Sequence, residues 1–93
     1  MPTKKKIPFE KKIRILSFCI RNGYDEQLTA QHFHIPLYYV EDWLAKINED
    51  NLEALIGPHE SVSKNDLDRA ELALGEAFIA LDEKLEELYG SYI

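Results

Sequence analysis

Residues 30–43 read AQHFHIPLYYVEDW, and their spacing decides what this chain can be. Ala30 is small enough to let two helices touch, and His34 belongs to a residue type that tolerates positive φ. Phe33, Ile35, Val40 and Trp43 stand where apolar side chains would lock a second helix onto a first. A helix-turn-helix needs those three things together. The stretch therefore predicts two short helices that meet at a bend over residues 34–36, with the Trp43 indole enclosed between them.

Working outward, helical spacing continues on both sides. Phe9, Ile13, Leu16 and Ile20 recur at intervals of four, three and four behind Pro8, and Gly23 supplies a left-handed stop, so a first helix runs to about Asn22. Ile15, Phe18 and Cys19 add a second stripe, which predicts a helix buried over more than half its circumference. A second helix fits DEQLTAQHF, with Asp25 and Glu26 at the end where negative charge suits the dipole. The third, LYYVEDWLAKINED, places Pro36 at its first position and turns Val40, Leu44 and Ile47 inward. DNLEALIG reads as a short fourth piece, with Asp50 as its cap and Glu53 completing the signal.

GPHESVS is the one clear linker, an ordered turn or a hinge. Beyond it, Ser63 and Asp66 form a capping signal for a final helix reaching about Tyr89. Leu67, Leu74, Phe78, Leu81, Leu85, Leu88 and Tyr92 follow an alternating three-and-four spacing, broken where Glu71 takes an apolar place. That spacing predicts either a coiled-coil seam, with Leu74, Phe78, Leu81, Leu85 and Leu88 joining two copies, or an amphipathic helix folded back on the head. The expected organisation is all-α: a basic arm (1–8), a helix-turn-helix head of three helices plus a short fourth (9–56), a linker (57–62) and a long C-terminal helix (63–93).

Composition narrows the function. The chain has 93 residues, 45% hydrophobic and 30% charged, the mix of one ordinary globular domain. No apolar run approaches the roughly 20 residues that cross a bilayer. The basic start has no apolar stretch and cleavage site behind it, so the chain is expected in the cytoplasm. The single cysteine, Cys19, cannot form an internal disulfide, which agrees with a reducing compartment, and it reads as a small buried hydrophobe. His32 and His34 diverge by about 200° on a helix and make a poor metal pair. With no phosphate loop, nucleophile elbow or zinc-type cysteine spacing, the sequence suggests neither enzyme nor cofactor nor metal.

Charge is segregated. Residues 1–22 hold seven Lys or Arg against Glu10, a balance of +6, whereas the remainder holds four against sixteen acids, or −12. Lys4, Lys5, Lys6, Lys11, Lys12 and Arg14 could follow a phosphate backbone. With Val40 inward, however, the 100° step turns Tyr38, Asp42, Ala45 and Glu49 outward, with Glu41 at the edge and Lys46 off to the side. Carboxylates facing the dense negative charge of DNA oppose binding.

FEKKIRILSFCIRNG, the Ala30-to-Ile35 motif closing on the aromatic of VEDWL, and the leucine-rich tail resemble the transposase-like helix-turn-helix family, especially the short first-frame proteins of insertion sequences. The resemblance implies that the third helix, LYYVEDWLAKINED, is a recognition helix and that the final helix pairs two heads on double-stranded DNA. His34 departs from that family at a turn position usually held by glycine, and the acids depart from it on the outward face. Two readings follow. One is a small DNA-binding or transcription-regulating homodimer of phage or mobile-element origin, using the basic arm and Tyr38. The other is an adaptor or inhibitor that presents Leu37, Tyr38, Glu41, Asp42 and Ala45 to a basic protein partner.

Overall fold

Ile15, Leu16, Cys19 and Ile20 are fully buried, and they sit on the helix around which the others are arranged, α1 (Phe9–Arg21). The computed structural model describes residues 7–89; Lys4, Lys5, Lys6 and Tyr92, named above, lie outside them. Four α-helices and one 3₁₀ turn follow in order: α1, α2 (Glu26–Phe33), α3 (Leu37–Asn48), the 3₁₀ turn Leu52–Leu55, and α4 (Lys64–Tyr89). The all-α fold class read from the sequence is the one observed. No described helix is long and apolar enough to cross a membrane.

Each helix of the head stops by the same device. At the end of α1 the amide of Tyr24 donates to Cys19 O (2.8 Å) and that of Gly23 to Ile20 O (3.1 Å). At the end of α2, Ile35 N donates to Ala30 O (3.0 Å) and His34 N to Gln31 O (3.3 Å). At the end of α3, Asn51 N donates to Lys46 O and Asp50 N to Ile47 O, both at 2.9 Å. This paired pattern is the Schellman motif, and it requires a left-handed residue. Gly23 (φ 71°), His34 (φ 55°) and Asp50 (φ 59°) provide it, and Tyr24 follows Gly23 at φ 64°. His and Asp visit that region more readily than most side chains, but less readily than glycine.

Two expectations about the caps are corrected. Pro36 is not the first helical residue of α3 but the extended residue before it (φ −61°, ψ 142°). Asp50 does not cap the fourth piece: its backbone is spent on the left-handed turn that ends α3, and Asn51 precedes the 3₁₀ turn without a side-chain capping bond. Ser63 caps α4 as read, its Oγ accepting from Asp66 N (3.1 Å), and Asp25, read only as favourable charge at the start of α2, also caps it, Oδ1 accepting from Leu28 N (3.0 Å). Neutral replacement of such a cap typically costs about 1 kcal/mol.

The helix-turn-helix encloses its lock. Ala30 and Trp43 are each 7% exposed, Val40 is fully buried, and Phe33 and Ile35 pack half-buried against the same core. Thr29, buried at the α1–α2 contact, satisfies its hydroxyl by donating to Asp25 O (2.7 Å). Phe18 joins α1 to α2 through His32, stacked at 4.4 Å, and Phe33, edge-on at 5.3 Å.

The expected seam of α4 divides. Ala70, Leu74 and Ala77 are buried, and Leu67, Ala73 and Leu81 pack half-buried against the same core, so the first part of the helix folds back on the head. Leu74 and Leu81, candidates for joining two copies, thus face the chain's own interior. At 1.5 Å per residue α1 spans about 20 Å and α4 about 39 Å, so α4 outruns its support. Phe78, at the edge, meets Tyr24 at 6.2 Å, and beyond it Leu85 and Leu88 are exposed.

Candidate functional site

The outward face of α3 is open to solvent along its length. Leu37, Tyr38, Glu41, Asp42, Ala45 and Glu49 are all exposed, Tyr38 at 63%. They project outward because Val40, Trp43 and Leu44 are drawn inward on the same twelve residues. Tyr38 meets Tyr39 edge-on at 4.8 Å, and Tyr39 lies 5.7 Å from Trp43, so an aromatic line runs from the surface into the core. A hydrogen bond with the Tyr39 hydroxyl holds the Tyr38 phenol above its ordinary pKa.

Lys46 is not off to the side. It forms an ion pair with Asp42 one turn earlier on α3, so one of the outward acids is partly neutralised, while Glu41 and Glu49 have no such partner among the described residues. The pair is solvent-exposed and contributes only a few tenths of a kcal/mol.

The basic residues expected to meet phosphate are divided by the structure. Lys11 and Arg14 are exposed on α1, and Arg14 reaches back to Glu10 at 3.5 Å. Lys12 turns inward instead: its ammonium donates to Leu55 O (2.7 Å) and stands over the Trp43 ring, 5.8 Å from its centroid. A cation so placed ties the 3₁₀ turn to α1 and α3, and reaching a phosphate would require breaking both contacts.

Glu60 was not singled out by its sequence context. Its carboxylate accepts from Phe9 N (2.8 Å) through one oxygen and from Gly57 N (2.7 Å) through the other. It therefore caps α1 from 51 positions away and closes the turn it sits in. The bond from the Phe9 amide is the main reason its pKa lies below the usual carboxylate value, with the Gly57 amide and the Lys12 charge adding to the effect. The stretch 57–62 is accordingly anchored rather than a free hinge. No local signal could identify Glu60, because its partner lies at the other end of the head.

Between the anchored turn and α3 lies a groove of about 860 Å³, walled by Pro8, Tyr38, Tyr39, Trp43 and Pro58, with Asp42 at its rim. Cys19 is buried, and desolvation raises its thiol pKa. No family model, curated protein or solved structure matches this chain.

Proposed function

We propose that this chain is a protein-interaction module on a helix-turn-helix scaffold, whose α3 face and adjoining groove receive a lysine- or arginine-bearing surface of another protein. The observation that carries this reading is the fate of the charges around α3. Glu41, Asp42 and Glu49 face solvent, Asp42 partly offset by Lys46, and Lys12, the lysine lining the groove, is held by Leu55 O. Residues 7–89 hold eight Lys or Arg against all seventeen acids, a formal −9. A surface of that sign repels a polyanion and steers a cationic partner toward it. Tyr38 offers an exposed ring for a guanidinium, and the carboxylates accept its N–H groups, the stronger kind of hydrogen bond.

The test is an array of lysine- and arginine-bearing peptides probed with the full chain. Binding that weakens at least tenfold in Tyr38→Ala and Glu41→Gln, in each separately, supports the reading. Equal binding by both variants and the parent rejects it.

DNA binding is the second reading, favoured by the helix-turn-helix itself and by exposed Lys11 and Arg14 on α1. It predicts duplex binding that falls steeply with salt and weakens when Lys4–Lys6 are replaced. In either case, pairing of two copies would rest on Leu85 and Leu88. Light scattering of Leu85→Asp against the parent would register the loss of a dimer.

A further inference from the structure

We propose that the back of α4 is a second docking surface, built for a basic amphipathic helix of another protein. Leu72 and Ile79 are 63% and 59% exposed, and their seven-residue separation puts them within about 20° of each other on the helix. Leu74, which packs inward, lies about 160° away around the axis, so this stripe faces away from the head.

Gly75 lies between them, in the interior of a 26-residue helix. Glycine is the least favourable residue there after proline. Nothing in the packing of the described residues calls for it: a Cβ at that position would meet none of their atoms within 4 Å beyond its own helix backbone and neighbours, and its φ is not in the left-handed region. A missing side chain between two exposed aliphatic ones lets another backbone come close. The glycine is understandable as a crossing point.

The surroundings specify the partner's charge. On a helix surface the neighbours of Ile79 are the residues three and four away, and these are Gly75, Glu76, Asp82 and Glu83. Glu86, one turn further, extends the acidic rim; of the basic residues on α4, Lys64 and Arg69 lie toward its start, and Lys84 projects about 140° from Ile79 around the axis, off the stripe. The carboxylates crowd the carboxyl-terminal half of α4, whose dipole is negative, and there is no basic residue in its last turn. That arrangement disfavours the isolated chain, and a cationic partner relieves it. A second copy would oppose carboxylate with carboxylate, and an anionic bilayer or nucleic acid would be repelled. An amphipathic helix with an apolar ridge flanked by lysines matches both the stripe and its rim. The surface is separate from the α3 face and stands whether or not that face binds a partner.

The test uses ¹⁵N-labelled full-length protein titrated with a synthetic 18-residue helix that carries leucines on one stripe and lysines elsewhere. Amide shifts centred on residues 72–83 are expected. Gly75→Leu should bind at least tenfold more weakly while its thermal midpoint stays equal or rises, because the added side chain enters open space. Leu72→Gln with Ile79→Gln should show the same loss. Shifts spread over the whole acidic surface, unchanged affinity in Gly75→Leu, or light scattering showing that Leu72→Gln dissociates a dimer would each overturn the proposal.

Discussion

The two sides of α3 show how one helix divides its work. Inward, Val40, Trp43 and Leu44 are enclosed and hold the head together; outward, Tyr38, Glu41 and Glu49 are exposed to solvent. The same division separates Lys12 from Lys11: adjacent in sequence, one is bonded to Leu55 O beneath the indole, and the other is exposed. A charge in the sequence is therefore not a charge available to a ligand. It must be discounted by whatever the fold has already done with it.

The sharpest way to break the comparison is to cut the two sides of α3 equally. Trp43→Ala should destabilise the protein by about 3–5 kcal/mol, the range for removing a buried aromatic, whereas Tyr38→Ala should change stability by less than about 0.5 kcal/mol. Urea denaturation measures both. Comparable losses would mean that the outward face is also structural.

Next in size is the anchored turn. Glu60→Gln replaces charge-assisted bonds to Phe9 N and Gly57 N and should cost about 1–2 kcal/mol at neutral pH. The pH dependence carries a sign. The Glu60 pKa is depressed in the fold, first by the Phe9 amide, so its stabilisation is present above the ordinary carboxylate pKa and disappears as pH falls through the lower folded value. Acid denaturation of Glu60→Gln should consequently be shallower than that of the parent over that window. Lys12→Met keeps most of the apolar stem but leaves Leu55 O without its donor, and it too should destabilise by about 1 kcal/mol.

The smallest effects have the opposite sign. His34→Gly and Asp50→Gly relieve side chains of left-handed strain and should each stabilise by up to about 1 kcal/mol, after subtraction of glycine's greater unfolded entropy. Thermal melts would register shifts of a few degrees upward. Losses at either position would indicate that the imidazole or carboxylate makes a contact worth more than the strain.

What could be read from the chain alone was whatever is encoded locally. The bend at His34, the cap at Ser63, the stop at Gly23 and the enclosed Trp43 all follow from residue type and spacing over a few positions. Asp50 was misassigned because the same short polar side chain suits a cap before one helix and a left-handed stop after another. Sequence spacing also could not choose between a seam shared by two copies and a helix folded back. That choice depended on α1 being long enough to cover Leu74 and too short to cover Leu88. The outward acids of α3 were legible from the 100° step alone. What they lacked was the inward turn of Lys12 and the distant capping by Glu60, both of which arise from contacts more than forty positions apart.

The central claim is that the sign of the α3 face selects a cationic partner. It is tested most directly by anisotropy at low salt, with a labelled 20-base-pair duplex and a labelled arginine-rich peptide offered separately to the parent and to Glu41→Lys/Glu49→Lys. The account predicts that the parent prefers the peptide and that charge reversal lowers peptide affinity while raising duplex affinity, each at least tenfold. A parent that binds the duplex more tightly than the peptide, with no response to reversal, would contradict it.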